Sequence, residues 1–349
     1  AMGFTVDHVV SRTVRDSAAM LDATGTPRAD APFAAPPKER PYLEEIERSP
    51  GKLRIAWSSE TPSGRPIDPE IQAALEATAA LLKGLGHEVV EKGLGIDYRA
   101  LYAARAPVSG ANFAADMGRL IAQLGREPEE HELEPLTWAS LKGGRKVTGE
   151  QAFRGWQDLR VLNRKTLAFF EDWDVYLSPV LGTPVPEIGY LDPVALEPKE
   201  MNRRQGGVFP YTPPFNFTGQ PSLSLPLHMS ANGLPVGMMF TARFADEATL
   251  KKIDGALHAR EIDRLCVDLR HCDRAAQVIV FLANPSVEIA RRIAREGAGD
   301  VLVLAIGLVR RVALRLVAGA VGSGADETDK RVVEVAGDDA VVLARRPVA

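Results

Sequence analysis

Pro214-Phe215-Asn216-Phe217-Thr218-Gly219-Gln220-Pro221-Ser222-Leu223-Ser224-Leu225-Pro226-Leu227, followed by Asn232-Gly233-Leu234-Pro235-Val236-Gly237-Met238-Met239-Phe240, is the stretch on which the fold turns. Ser222–Leu227 and Val236–Ala242 read as two strands. The Asn232-Gly233 dipeptide between them supplies the backbone freedom of a tight turn, so the pair predicts a β-hairpin.

Working upstream, Trp173-Asp174-Val175-Tyr176-Leu177-Ser178-Pro179 predicts another strand, whose trailing prolines mark a sheet end. Residues 97–172 read as mainly helical, with breaks expected near Gly110, Glu127-Pro128 and Gly143-Gly144. Trp156, Leu159, Leu162 and Phe169 or Phe170 form the buried stripe of the last of these helices. Leu53–Trp57 reads as a strand, Asp68-Pro69 as a cap with proline at the first helical position, and His87–Val90 as a second strand. That strand–helix–strand unit is expected to pair in parallel with a right-handed crossover. The proline-rich stretch from Gly25 to Gly51 excludes continuous helix and leaves one short turn around Tyr42–Glu47. Nearer the start, Ser11 is the expected N-cap of a helix over about 12–23. The sum is an α/β fold: a mostly parallel mixed sheet flanked by helices, with antiparallel pairing toward the C-terminus.

Composition narrows the function. The chain has 349 residues, 45% of them apolar, and a formal net charge of -4 from 42 basic and 46 acidic side chains. Such a balance gives no field for nucleic acid or an anionic membrane and suits small neutral substrates. Two cysteines, Cys266 and Cys272, exclude a disulfide framework and favour a reducing, cytoplasmic setting. Ala1-Met2-Gly3-Phe4 shows no basic stretch followed by a long apolar run, so no secretory signal is expected there. The most apolar run, Val301–Val309, is too short to span a bilayer and meets Arg310-Arg311. His258, Cys266, His271 and Cys272 lack the paired spacing of a structural zinc site, so no metal and no cofactor is expected. His8 is expected to be a hydrogen-bonded helix-entry residue. Glu129-Glu130-His131-Glu132 reads as a solvated loop and helix start.

The Pro214–Leu227 and Asn232–Phe240 segments resemble the C-terminal half of amidase-signature enzymes, and Asp7-His8-Val9-Val10-Ser11-Arg12-Thr13-Val14-Arg15-Asp16-Ser17-Ala18 resembles the helix that follows the catalytic region in that family. The resemblance implies carbon–nitrogen hydrolysis of linear or cyclic amides through an acyl-enzyme on serine, with a Ser-Ser-Lys triad. Its subgroup features look closer to general amidases, including 6-aminohexanoate cyclic dimer hydrolases, than to tRNA-amidotransferase subunits. It further implies that Phe215, Asn216, Thr218 and Gln220 line the substrate pocket; the plainer reading is that Asn216 and Thr218 cap a loop while Phe215 and Phe217 fill the core. The lysine, the bridging serine and the Gly-Gly-Ser-Ser-type loop of the triad cannot be placed, Ala320-Val321-Gly322-Ser323-Gly324 being a poor match in the wrong part of the chain. No catalytic residue is therefore assigned. The expectation is a partial amidase-signature fold with its N-terminal catalytic part missing, inactive alone, acting on a small-molecule amide only in a complete enzyme and compatible with a homo-oligomer. The alternative is a non-catalytic binding or partner module derived from the same fold.

The resemblance covers 1–250 and stops at Lys251. From Val278 onward Val, Ala, Arg, Gly and Asp dominate and aromatics nearly vanish. Two expectations stand for 251–349: out-of-register translation of a GC-rich frame, or a small appended segment with Val278–Leu282 and Val301–Leu308 as strands and Val287–Ala294 as a helix.

Overall fold

The computed structural model describes residues 8–11, 13–25, 36–257 and 278–279. The described residues fall into two compact units, one formed by Pro50–Leu250 and the other by the segments on either side of it.

In the smaller unit a two-residue strand β1 (Val10–Ser11) leads into α1 (Val14–Thr24), and α2 (Tyr42–Glu45) lies beyond the proline-rich connection. The expected Ser11 cap is corrected: Thr13 is the N-cap, its Oγ1 accepting from Asp16 N at 3.0 Å. Ser11 is already committed to β1, and its hydroxyl donates to the Thr13 carbonyl at 2.8 Å. Asp22 on α1 accepts from Tyr42 N and Leu43 N at 2.8 and 3.0 Å, capping α2 with a carboxylate from another element.

The larger unit opens with β2 (Arg54–Trp57), α3 (Pro69–Gly84) and β3 (Glu88–Glu91). Asp68 Oδ1 accepts from Glu70 N at 2.9 Å and Pro69 occupies the first turn, as the sequence predicts. Three helices follow: α4 (Tyr98–Leu124), α5 (Pro135–Gly144) and α6 (Gly149–Asp172), the last held by a reciprocal Thr148–Gln151 capping box. The break expected at Gly110 is absent, and α4 runs through it and through Pro107. Gly110 serves packing instead: a Cβ there would sit 3.5 Å from the Gly144 Cα, so the two glycines let α4 and α5 approach closely. β4 (Val175–Pro179), α7 (Pro198–Val208), α8 (Pro213–Thr218), β5 (Ser222–Met229) and β6 (Pro235–Ala242) complete the unit.

The sheet order is β3-β2-β4-β6-β5. β2 pairs in parallel with β3 and β4, whereas β4–β6 and β6–β5 are antiparallel, so the mixed sheet is parallel on one side and antiparallel on the other. Asn232-Gly233 does connect β5 to β6, but through a longer turn: Gly233 N donates to the Ser230 carbonyl, Ser230 N to the Leu234 carbonyl, and Gly233 alone takes positive φ, +71°.

Alternation across the register gives the sheet two unlike faces. Ile55, Leu177, Phe240, Met238, Leu223 and Leu225 share one, buried with Ile71, Leu75 and Leu82 of α3 among the core residues. Ala56, Tyr176, Ser178, Met239, Thr241 and Ser222 share the other, where small and polar groups alternate. This second face carries the candidate site. α9 (Glu247–Leu257) and β7 (Val278–Ile279) follow, β7 pairing antiparallel with β1. Within the smaller unit Lys251 Nζ donates to Ser17 Oγ at 2.7 Å, and His8 Nε2 lies 3.3 Å from the Ser17 carbonyl. Burial, reinforced by the Lys251 charge, lowers His8 to about 4 and keeps its imidazole neutral. His258, Cys266, His271, Cys272 and nearly all of the 251–349 expectations lie outside the described residues.

Candidate functional site

Two prolines start α8 and Gly219 ends it at φ 72°, its N–H returning to the Phe215 carbonyl at 2.9 Å. A side chain on Gly219 would reach within 3.3 Å of the Phe244 ring, so glycine meets both a steric and a conformational demand. The chain then enters β5 through Gln220-Pro221. Pro221 stands opposite Ala242, one step beyond the Ser222–Thr241 pair, and accepts from Ala242 N at 3.1 Å. Proline has no N–H to return. Gln220 Nε2 supplies it, donating to the Ala242 carbonyl at 2.7 Å, while Gln220 Oε1 accepts the Thr218 hydroxyl at 3.0 Å. Both side chains are buried. Thr218 and Gln220 thus fasten α8 to β6.

Phe215 lies in a core cluster with Ala56, Leu94, Phe170, Trp173, Tyr176, Tyr211 and Met239, on the polar face of the sheet. Its ring is 6.1 Å from that of Tyr176. Phe217 is half-buried and packs toward Leu101, Ala104, Val108 and Leu159 of α4 and α6, its carbonyl accepting from Asn163 Nδ2 at 2.6 Å. Asn216, also half-buried, makes no side-chain hydrogen bond among the described residues. Of the four sequence-nominated residues, Phe215 therefore contributes shape, Thr218 and Gln220 contribute attachment, and Asn216 keeps its hydrogen-bonding capacity.

The residues that sequence reading missed are tyrosines. Four of the six in the chain, Tyr98, Tyr102, Tyr176 and Tyr211, meet around Ser58 and Glu60 at the end of β2. Tyr211 donates to the Ser59 carbonyl at 2.8 Å, and the Tyr98 and Tyr102 rings stack 6.5 Å apart on one side of α4. Burial, first, and neighbouring phenols, second, hold Tyr98, Tyr176 and Tyr211 well above the usual phenol range; a Ser58 hydrogen bond opposes the shift at Tyr176. Tyr102 is raised by burial and opposed by the Arg105 charge. These groups stay protonated at neutral pH, as neutral phenols that can donate and accept hydrogen bonds. Their clustering was signalled only by the scarcity of tyrosine, since the contributing segments are far apart in sequence.

Among the described residues the lysine–serine hydrogen bond is that of Lys251 and Ser17, and their exposures of 1% and 0% deny a substrate atom access. Also among the described residues, no group of three His, Cys, Asp or Glu could hold a metal ion, and no helix is long and apolar enough to cross a membrane.

The family model described as Amidase matches residues 1–250. The chain belongs to the Amidase family. The 6-aminohexanoate-cyclic-dimer hydrolase of Paenarthrobacter ureafaciens is 31% identical over 267 residues, covering 73% of this chain and 53% of the relative. The lipoamidase of Enterococcus faecalis is 28% identical over 283 residues, 74% of this chain and 36% of the relative. Among solved structures, 6-aminohexanoate cyclic dimer hydrolase complexed with substrate superposes with TM-score 0.63 at 28% identity, over 73% of this chain and 59% of that one. A bacterial aryl acylamidase of the amidase-signature family shares the fold at TM-score 0.62 and 20% identity, over 74% and 54% of the two chains. The chain spans about half the length of the 6-aminohexanoate-cyclic-dimer hydrolases it matches.

Proposed function

We propose that this amidase-family chain forms the substrate side of a carbon–nitrogen hydrolase acting on linear or cyclic amides, and that the Ser-Ser-Lys chemistry must come from a segment that supplies the motifs these 349 residues lack. In this reading 1–250 is the C-terminal portion of an amidase-signature domain and 251–349 is a tail that the family match does not cover. The observation that carries it is the family match across 1–250, whose most telling segment keeps Asn216 and Phe217 half-buried while Phe215, Thr218 and Gln220 are buried beneath them. An amide presents one acceptor and one donor and no charge to neutralise. Asn216 offers both complementary groups from the same short helix.

The test separates binding from turnover. The purified chain is titrated with hexanamide and assayed for hydrolysis of aryl and alkyl amides, with and without a serine-directed inhibitor. Saturable binding that Asn216→Leu weakens, without turnover, is the expected result. Inhibitor-sensitive turnover by the chain alone would overturn the assignment of the triad to another segment; absence of any amide binding would overturn the substrate-side role.

A further inference from the structure

α6 buries one side and leaves the opposite side to solvent. Gly155, Leu159, Thr166 and Phe170 are its buried residues, and Gly155 meets the Ala104 carbonyl and Pro107 of α4. At about 100° per residue, Glu150, Phe153, Gln157, Val161 and Arg164 stand on the far side, and all five are exposed. Two of them are large and apolar: Phe153 is 62% exposed, more than any other aromatic side chain among the described residues, and Val161 is 48% exposed. Glu150 pairs with Arg154 at 2.8 Å. Arg164 makes no ion pair among the described residues, its Nε donating to the Arg160 carbonyl at 3.4 Å. The stripe reads acid, aromatic, amide, aliphatic, base, and its spacing is symmetric. Phe153 and Val161 lie four residues to either side of Gln157, and Glu150 and Arg164 seven residues to either side.

We propose that this side of α6 is a self-association surface, on which two copies of the chain pack α6 against α6, antiparallel, about a two-fold axis at Gln157. A two-fold contact requires that each feature meet its complement when the helix is reversed. Reversal here brings Phe153 of each copy level with Val161 of the other, about 6 Å along the helix from the axis, and Glu150 level with Arg164 of the other, about 10 Å from it. Both apolar side chains are then covered and both outer charges gain an opposite partner. Arg154 and Arg160 fall on opposite flanks of the contact, apart from one another and open to screening by salt. A uniformly acidic partner would satisfy Arg164 and repel Glu150, so the mixed signs favour a second copy. One helix pair makes a small interface, at the weak end of specific contacts, so the dimer dissociates on dilution.

The test is sedimentation velocity of the full chain at low salt, from about 2 to about 200 μM. The weight-average sedimentation coefficient is expected to rise with concentration toward that of a dimer. Phe153→Asp should weaken association by at least about ten-fold. Glu150→Arg and Arg164→Glu should each weaken it as well, since each sets like charges level with one another. An equimolar mixture of those two variants should recover association close to the parent's, because only unlike copies then pair acid with base. A parent that stays monomeric across the range would overturn the proposal. So would association indifferent to Phe153→Asp, or a mixture of the charge variants that associates no more strongly than its components, since the contact would then lie elsewhere or in another arrangement. Far-ultraviolet circular dichroism of the variants, whose altered side chains are all exposed, checks that folding is unchanged.

Discussion

Replacing Gln220 by leucine keeps the volume of a buried side chain and removes both of its hydrogen bonds. The Ala242 carbonyl then has no donor on the β5 side, because Pro221 opposite it carries none. The Thr218 hydroxyl loses its 3.0 Å acceptor but can turn to the Phe215 carbonyl at 3.3 Å, so its loss is small. What remains is one orphaned buried carbonyl, worth about 1–3 kcal/mol, and a central estimate of about 2 kcal/mol. Against a total stability of roughly 5–15 kcal/mol this is a readily measured fraction. With a urea dependence of about 2 kcal/mol per molar, the unfolding midpoint followed by far-ultraviolet circular dichroism should fall by about 1 M with an unchanged slope. Thr218→Val, which spares the Gln220–Ala242 bond, should cost clearly less. A Gln220→Leu midpoint within about 0.2 M of the parent would refute the claim that this amide stands in for the missing proline N–H.

Gly144→Ala places a methyl against the Gly110 backbone and should destabilise the α4–α5 contact by about 1–3 kcal/mol, read as a lowered thermal midpoint. Burial raises Tyr98, Tyr176 and Tyr211 in the folded state, so their contribution to stability is complete below about pH 10 and is lost as pH rises beyond it. Ultraviolet titration should therefore show these phenols ionising only together with alkaline unfolding, and Tyr176→Phe should move that transition upward. At Asp174, burial pushes the carboxyl up, but the Arg54 N–H, the Arg54 side chain and Arg243 outweigh it and hold it low. Its stabilisation is present above about pH 4 and fades as pH falls through the folded value, so Asp174→Asn should flatten the acid limb of a stability–pH curve.

The parts of the fold that sequence reveals are those encoded by neighbouring residues. Asp68-Pro69 carries its own cap and first turn, and Asn232-Gly233 marks its hairpin, although the turn is longer than the dipeptide suggests. Gly110 misleads because a glycine that ends a helix and one that admits another helix look identical in sequence; only Gly144, brought close by folding, tells them apart. Ser11 misleads for a similar reason, since its claim as a cap yields to a strand paired with β7, where Ser11 stands opposite Val278. In the site, the Phe215–Gln220 segment was legible as a segment, but the division of labour within it was not. That division depends on Ala242, Asn163 and the tyrosines, which arrive from β6, α6, β4, α4 and the α7–α8 connection through tertiary contacts that no local pattern encodes.

Pro107 gives α4 a mechanical division. Having no N–H, it cannot bond to the Ala103 carbonyl, so the helix is weakest between the turn that bears Tyr102 and Arg105 and the turn that begins at Gly110. Gly155 of α6 presses into this point, where a methyl would crowd both the Ala104 carbonyl and the Pro107 ring. The first half of α4 is thereby tied to the aromatic wall and the second half to α5. Amide exchange along α4 should then separate into two cooperative blocks meeting at Pro107, and a substitution that slows opening of one block should leave the other nearly untouched.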